Sequence, residues 1–374
     1  MSDLILAWCS FDSAAATEGR PYMRSFDCIV EGDNPPSGFS LSTTTRMATA
    51  PLLNSELEII PIGEAEFAAL EHLFDEQCSE WLELLRWDYS GPSRTIRQVL
   101  RDRELAGFVA LSGAHPVGFS YYVVESGRGS IGDIYVSRSW RGLGIDRRMT
   151  AALLDELDHT PEARRIESQC VGIGNDASTE LLEARGFERF DRQYLTLELG
   201  SSESAKDRTR ESADAGASIT IRPWEEKDFP RAAEVIHRSY RGQHDSRINT
   251  QYRTEAGCAE LLTILTDHIW CGEFLNGVSQ VAFQRTTGRL VGVLIGSRIA
   301  PGSGHIAQIS VLPAHQGHGL GRRMINSALT EYMHRGFDSV SLAVTSANLS
   351  ALHLYESCGF RTIHTFPVFF REKR

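Results

Sequence analysis

A glycine-rich turn in the last third of the chain is the segment whose residue types point most directly to chemistry. It follows an apolar stretch, Ile306 to Leu312, and precedes an amphipathic run, and it reads Gln316, Gly317, His318, Gly319, Leu320, Gly321, Arg322. Backbone N–H groups in such a turn, together with the positive end of a helix dipole, bind anions without a lysine. We expect the absence of side chains at the glycines to let a diphosphate approach the backbone. The segment therefore predicts a site for a phosphorylated ligand.

Two common phosphate-binding motifs do not match this turn. A P-loop ends in Gly-Lys-Ser/Thr, whereas Arg322, Arg323 and Met324 follow Gly321. A dinucleotide fingerprint needs G-x-G-x-x-G and an acidic residue about 20 positions later, and the third glycine interval here is wrong. The ligand is therefore predicted to be neither a P-loop nucleotide nor a dinucleotide.

A second motif lies downstream, on a predicted helix that begins after Asn348 and is closed by Gly359. Ala351, Leu354 and Tyr355 share one face of that helix. With the turn, it resembles the GCN5-related N-acetyltransferase (GNAT) superfamily, whose motifs read Gln/Arg-x-x-Gly-x-Gly/Ala and Asn-x-x-Ala-x-x-x-Tyr-x-x-x-Gly-Phe. The resemblance implies acetyl-CoA as co-substrate. It also implies that Asn348 contacts the pantetheine arm and that the Tyr355 hydroxyl approaches the coenzyme A sulfur.

Both motifs occur twice, which predicts a tandem duplication. Val136 to Met149 aligns with Val311 to Met324 without a gap, and Asn175 to Gly186 has the spacing of Asn348 to Gly359. The earlier copy has Leu182 where the later has Tyr355, and Asp146 where the later has Gly321. We expect the Asp146 carboxylate to stand near the pyrophosphate and to repel or crowd it. The first copy is therefore predicted to be catalytically silent.

Transfer of an acetyl group to an amine requires a proton for the departing thiolate. A phenol of pKa about 10 can share that proton, so Tyr355 is the candidate general acid. The alternative is a core tyrosine that packs under the Asn348 helix. The predicted cofactor-binding residues are the turn and the edge of the preceding strand, where the pantetheine arm would pair like an added strand: Ile309, Ser310, Val311, Gln316, Gly317, His318, Gly319, Leu320, Gly321, Arg322 and Asn348.

The general base is less well defined by the sequence. Many relatives carry a glutamate near the start of the strand before the turn, but here that strand lacks a carboxylate and His305 lies at about that place. An unperturbed histidine, with a pKa of about 6.5, suits proton removal at neutral pH. A solvent-exposed histidine without a role, Glu273, a water chain or a backbone carbonyl remain alternatives.

Composition and patterning predict four segments in an α/β (α+β) protein. These are a disordered segment 1–55, a degenerate GNAT domain 56–199, a polar linker 200–217 and a catalytic GNAT domain 218–374. Each domain is expected to be an acyl-CoA N-acyltransferase fold, with a mixed, mainly antiparallel sheet flanked by helices. The layout is similar to that of the mycothiol synthases, in which the second of two such domains does the transfer.

Bulk properties exclude several classes of function. The net charge of −11 argues against general nucleic-acid binding, and no apolar run is long enough for a membrane span. Seven scattered cysteines favour reduced thiols in a cytoplasm over disulfides or a metal site. The predicted partners are acetyl-CoA and an amine acceptor, on a small molecule or a protein, in a monomer or homodimer. A non-catalytic acyl-CoA sensor or scaffold is the alternative function.

Overall fold

The computed structural model describes residues 57–169, 172, 176–200, 218–267 and 269–373. The predicted disordered segment, the predicted linker beyond Gly200, and Asn175 lie outside the described residues. We call residues 57–199 the first repeat and residues 218–373 the second repeat. No described helix combines the length and the apolar character needed to cross a membrane.

The first repeat begins with a strand and two helices, and three further strands follow. Its elements are β1 (Leu57–Pro61), α1 (Phe67–Leu85), α2 (Ser90–Arg101), β2 (Ala106–Ser112), β3 (His115–Glu125), β4 (Arg128–Val136), α3 (Ile145–His159), β5 (Arg165–Gln169), α4 (Asp176–Ala184) and β6 (Glu188–Glu198).

The second repeat has the same order with two additions, α6 and β8, that the sequence did not predict. Its elements are β7 (Ile219–Pro223), α5 (Phe229–Tyr240), α6 (Asp245–Ile248), α7 (Glu255–Asp267), β8 (Glu273–Phe274), β9 (Gln280–Gln284), β10 (Leu290–Ala300), β11 (Ser303–Val311), α8 (Leu320–His334), β12 (Ser339–Thr345), α9 (Leu349–Ser357) and β13 (Arg361–Glu372).

The described strands form one continuous sheet across both repeats. Its order is β1-β2-β3-β4-β5-β13-β6-β12-β11-β10-β9-β7, with β8 beside β10. Two neighbouring pairs, β4 with β5 and β11 with β12, are parallel, and the other described pairs are antiparallel. The prediction of a mixed, mainly antiparallel sheet flanked by helices is therefore confirmed.

The two repeats exchange the strands that close them. The last strand of the chain, β13, pairs with β5 of the first repeat, and β6 pairs with β12 of the second repeat. The strands β6 and β13 also pair with each other and join the two halves. The side chains of the two strands are exchanged as well. Phe369 of β13 is buried in the first repeat's core, and Leu195 of β6 is buried in the second repeat's core. Each repeat is thus completed by the other.

The sheet opens between the two parallel strands of the second repeat. Pairing of β11 with β12 covers Ser303 to His305 and ends there. Opposite Ile295 and Gly296 of β10, the register of β11 skips Ala307, which is a β-bulge that bends the strand. The edge of β11 beyond His305 is therefore turned away from β12, as the predicted pairing with an extended ligand requires.

The strand exchange predicts that a side chain at the end of the chain stabilises the first repeat. Phe369→Ala removes a fully buried ring from the first repeat's core and should lower the free energy of unfolding by about 3–5 kcal/mol. The control Ile363→Ala, at an exposed position of the same strand, should change it by less than about 1 kcal/mol. Urea unfolding followed by circular dichroism measures both. Equal effects of the two substitutions would contradict the exchange.

Candidate active site

The glycine-rich turn has the backbone geometry of an anion site. Gly317 and Gly319 have φ angles of 75° and 77°, in the left-handed region that favours glycine, and Gly319 directly precedes α8. A Cβ atom at either glycine would meet no heavy atom within 4 Å, so the surface above the turn is open. The N–H groups of the first helical turn have no partner earlier in α8. The turn can therefore offer several donors to one diphosphate.

A side chain anchors this turn in the same way in both repeats. Gln316 Nε2 donates a hydrogen bond of 2.8 Å to the carbonyl of Val311, at the end of β11. At the matching place in the first repeat, Arg141 Nε donates to the carbonyl of Val136 at 3.0 Å. The Gln/Arg position of the motif thus fixes the turn against the preceding strand.

The structure corrects our explanation of Gly321 and of its counterpart Asp146. A Cβ at Gly321 would lie 3.1 Å from Leu354 Cδ2, so this glycine permits close packing of α8 on α9. Asp146 is 4% exposed, and its Oδ2 accepts hydrogen bonds from Ser178 N at 2.9 Å and Ser178 Oγ at 3.1 Å. The expectation that this carboxylate stands toward the pyrophosphate is wrong, because it is buried against the first turn of α4.

The remaining predicted cofactor-binding residues surround the turn. Ile309, Ser310 and Val311 lie on the part of β11 that β12 leaves uncovered. Asn348 Oδ1 accepts a hydrogen bond of 3.2 Å from Ala351 N and caps α9, so it is the side-chain NH₂ group that could reach a pantetheine amide. The Arg322 guanidinium donates to Ser357 Oγ at 2.8 Å, which links the start of α8 to the end of α9.

Tyr355 lies on α9 with its side chain 7% exposed and its ring edge-on to Phe360. Burial, followed by the neighbouring Tyr240 and the Asp245 carboxylate, raises the pKa of Tyr355 far above its ordinary value of 10.0. The hydroxyl is therefore protonated at neutral pH, as a proton donor must be. The ring also packs in the second repeat's hydrophobic core. The position of Tyr355 is therefore compatible with a packing role and with a role as proton donor.

The two base candidates from the sequence occupy unsuitable surroundings. His305 is 6% exposed, stacks on Tyr194 and lies at a tilted angle beside Trp87 of the first repeat, and has Nδ1 at 2.9 Å from Ser341 Oγ. Burial and then the positive charge of Arg192 lower the pKa of His305 to about 3, so the expectation of an unperturbed or solvent-exposed histidine is wrong. Glu273 has a side chain that is 57% exposed and pairs with Arg298 on the neighbouring strand.

A polar cluster lies beside Tyr355. The rings of Tyr240 and Tyr252 stack with centroids 3.8 Å apart. Gln308 joins them, because its Nε2 donates to the Tyr240 hydroxyl at 3.1 Å and its Oε1 accepts from the Tyr252 hydroxyl at 3.0 Å. Asp245 is buried nearby, with Oδ1 accepting from Thr345 Oγ1 at 2.7 Å. Sequence spacing gave no signal for this cluster, since its members come from four separate elements or turns.

Between the repeats, next to this cluster, is a cavity of about 130 Å³. The first repeat and the exchanged strands contribute to one wall, and the second repeat forms the rest. The lining residues are Trp87, Gln169, Arg192, Tyr194, Asp245, Ile248, Asn249, Gln251, Tyr252, Leu261, Leu265, Cys271, His305, Ala307, Gln308, Ala343 and Phe366.

In the first repeat, the matching positions hold different groups. Leu182, at the place of Tyr355, is fully buried in an apolar core. Asp133, at the place of Gln308, accepts hydrogen bonds from the hydroxyls of Tyr89 at 3.1 Å and Tyr121 at 3.3 Å. The Tyr89 ring stacks on Trp81 at 4.3 Å between centroids. The first repeat therefore has no proton donor at the position of Tyr355, and aromatic rings surround the matching polar group.

Comparison with known proteins decides the family. The model of the acetyltransferase (GNAT) family matches residues 66–187 and 251–360, one stretch in each repeat and together more than half of the chain. The chain belongs to the GNAT acetyltransferase family. It is therefore an acyltransferase, and the expected duplication of the GNAT fold is confirmed.

Curated relatives of this GNAT chain include mycothiol acetyltransferases. The enzyme of Thermobispora bispora is 41% identical over 68 residues, which are 18% of this chain and 23% of the relative. The enzyme of Rhodococcus opacus is 37% identical over 71 residues, or 19% of this chain and 23% of the relative. The chain thus spans about a quarter of the length of the curated relatives that it matches. The expected resemblance to this tandem group is confirmed over those stretches.

Solved structures support the same fold over most of the chain. A GCN5-related N-acetyltransferase from Sphaerobacter thermophilus aligns with a TM-score of 0.56 and 17% identity, covering 84% of this chain and 95% of that one. A tandem GNAT protein from the clavulanic acid biosynthesis pathway aligns with a TM-score of 0.52 and 19% identity, covering 85% and 98%. At these identities the likeness concerns the fold.

The buried state of His305 predicts a pH dependence of stability. The unfolded chain takes up a proton at this residue near pH 6.5, whereas the folded chain resists protonation down to a pKa of about 3. The contribution of the neutral ring is therefore complete above pH 6.5 and is lost as the pH falls toward 3. Between pH 7 and pH 5 this group should destabilise the fold by about 2 kcal/mol, a loss that His305→Gln removes. Urea midpoints at the two pH values measure the difference.

The matched control for that measurement is His334→Gln, which alters an exposed histidine at the end of α8. It should retain the wild-type loss of stability on acidification. An identical loss in wild type and in His305→Gln would show that His305 is not the buried neutral group described here.

Proposed function

We propose that the chain is an N-acetyltransferase that moves the acetyl group of acetyl-CoA to a primary amine, with the chemistry in the second repeat. The observation that carries the proposal is the contact between the two motifs. Gly321 of the turn faces Leu354, and Arg322 is hydrogen-bonded to Ser357, so the diphosphate-binding turn and the helix of Tyr355 form one unit. A coenzyme held at the turn would extend along the open edge of β11 toward that tyrosine.

In this proposal, acetyl-CoA is bound by three parts of the second repeat. Backbone N–H groups of Gly317 to Arg322 hold the diphosphate, with the dipole of α8 behind them. The pantetheine amides pair with β11 at Ile309 to Val311, and the Asn348 NH₂ group binds a pantetheine oxygen. The thioester would then lie near α9, where Tyr355 is buried. No metal is required for any of these contacts.

Tyr355 acts as the general acid. The amine nitrogen attacks the thioester carbonyl carbon, the new C–N bond forms as the C–S bond breaks, and the sulfur leaves with its electron pair. The Tyr355 hydroxyl is protonated at neutral pH and donates that proton to the sulfur as the thiolate forms. Proton loss from the attacking amine is assigned to the side of the cavity where Asp245 lies. The Asp245 carboxylate replaces His305 and Glu273 as our candidate base, because it is buried and lines the cavity beside the Tyr240 and Tyr252 cluster.

The first repeat is proposed to be silent and to serve as a wall of the acceptor cavity. Leu182 has no proton to donate, and the Asp133 carboxylate accepts hydrogen bonds from two buried tyrosines. Trp87 and Tyr194 of this repeat instead face the cavity beside His305. This arrangement explains why a repeat without a complete site is still needed.

Replacement of the proposed acid gives the first test of this function. Tyr355→Phe should lower kcat by about 10²–10⁴-fold, because general acid catalysis is lost, with little change in the KM for acetyl-CoA. Release of free thiol from acetyl-CoA in the presence of a panel of amines measures it. The matched control is Tyr122→Phe, a half-buried tyrosine of the first repeat, which should retain wild-type turnover. Unchanged kcat in Tyr355→Phe would remove the assignment, and no turnover with any amine would favour the sensor alternative.

Matched substitutions in the two turns test which repeat binds the cofactor. Gly319→Val places a branched side chain at a φ of 77° in the turn and should weaken acetyl-CoA binding at least tenfold, by about 1–3 kcal/mol of strain and by obstruction. Gly144→Val introduces the same strain at a φ of 70° in the first repeat and should leave affinity unchanged. Isothermal titration calorimetry of the full chain should give one site. Two equivalent sites, or equal losses in both variants, would contradict a silent first repeat.

A further inference from the structure

Two hydrogen-bond donors in the wall of the cavity between the repeats are buried without an acceptor. Arg192 Nε has no partner within the described part of the chain, and the contact of Arg192 Nη1 with Gln169 Oε1 is long, at 3.4 Å. The Gln251 side chain is 3% exposed, and its Nε2 also has no partner there. Buried donors are normally satisfied, and those that are not call for an explanation such as a missing ligand. A ligand in the cavity that supplies oxygen acceptors would satisfy both donors.

The positive charge of Arg192 is not neutralised by a carboxylate of the described chain. Arg192 lies on β6 directly opposite Thr345 of β12, and Asp245 accepts a hydrogen bond from the Thr345 hydroxyl. The two opposite charges thus flank one strand position, yet no ion pair joins them among the described residues. A guanidinium and a carboxylate line one cavity without pairing with each other. Such a pair of charges matches a ligand that carries both an anionic group and an ammonium group.

The two charges also give the ligand a direction. Asp245 is held on the second-repeat side of the cavity by the Thr345 hydroxyl, and it suits the amine that receives the acetyl group. Arg192 reaches Gln169 of the first repeat at the opposite wall. The amine end therefore points into the second repeat, which carries Tyr355, and the anionic end points to Arg192.

We propose, on the basis of the proposed function, that the acceptor is a small amino acid-like amine whose carboxylate binds to Arg192 and Gln251 in this cavity. The planar guanidinium offers parallel N–H donors to a carboxylate, and the Gln251 amide adds a further donor. A cavity of about 130 Å³ with walls from both repeats holds a small group and not a folded protein surface. The substrate class is thus an aminocarboxylate.

The experiment compares acids with their amides on the full chain. The probes are β-alanine, the common L-amino acids, the amide of each, and O-phosphoethanolamine as an amine with a phosphate in place of the carboxylate. Thiol release gives kcat and KM, and fluorescence of the cavity residue Trp87 reports binding independently of turnover. At least one acid should exceed its amide about tenfold or more in kcat/KM. Arg192→Gln should raise the KM for that acid about tenfold to a hundredfold and leave the amide unchanged.

Three further variants separate recognition from folding. Arg189→Gln alters an exposed arginine of the same strand and should behave as wild type. Arg192→Lys keeps the charge and should recover part of the preference, whereas Gln251→Leu should reduce it while acetyl-CoA still binds. A variant that no longer binds acetyl-CoA is classed as misfolded. The comparison of acids with their amides then rests on the remaining variants.

The outcomes distinguish this inference from the proposed function. Arg192-dependent binding of an acid without thiol release would support the carboxylate site and end the transferase proposal. Equal turnover of acids and amides, or equal losses for both in Arg192→Gln, would overturn the carboxylate site and leave the transferase intact. A preference for O-phosphoethanolamine over every acid would overturn the carboxylate assignment in favour of a phosphate. Absence of binding and turnover for all probes would overturn both.

Discussion

The antiparallel pairing of β6 with β13 is the interaction on which the rest of the structure depends. Each of these strands ends one repeat in sequence and completes the sheet of the other in space. Because the pair joins the repeats into one sheet, neither half can bury its core alone. The position of the two repeats is therefore fixed by backbone hydrogen bonds and by buried rings such as Phe369, and not by a surface contact.

This fixed geometry produces the cavity and its charges. The pairing of β6 with β12 places Arg192 opposite Thr345, and Thr345 in turn holds Asp245. It also brings Trp87 and Tyr194 against His305, which explains the low pKa of that histidine. In the proposed function, the first repeat thus shapes the acceptor side of the second repeat.

Local patterns allowed much of the fold to be predicted. The turn at Gln316 to Arg322, the helix after Asn348, and most strand positions follow from short-range spacing, and the structure has the corresponding elements. Repetition of the two motifs predicted the duplication, because it needs only an alignment of the chain with itself. The bends at Gly317 and Gly319 were also predictable, since few other residues adopt that backbone.

Features that depend on partners distant in sequence were not predicted. The exchange of β6 and β13 leaves no trace in hydrophobic periodicity, which reports burial but not the identity of the neighbouring strand. The orientation of the Asp146 carboxylate depends on Ser178, 32 positions away, and the burial of His305 depends on aromatic rings from the other repeat. Arg192 was not predicted as a site residue, because an arginine in a strand is usually exposed to solvent. These are the places where tertiary contacts, and not local sequence, decide the chemistry.

A crystal structure of the full chain with acetyl-CoA tests the central claim most directly. We expect one coenzyme per chain, with its diphosphate on the N–H groups between Gln316 and Arg322 and its sulfur within hydrogen-bond reach of the Tyr355 hydroxyl. We also expect the thioester to face the cavity that Arg192 and Asp245 line. Coenzyme bound at the first repeat instead, or a sulfur remote from Tyr355, would contradict the account.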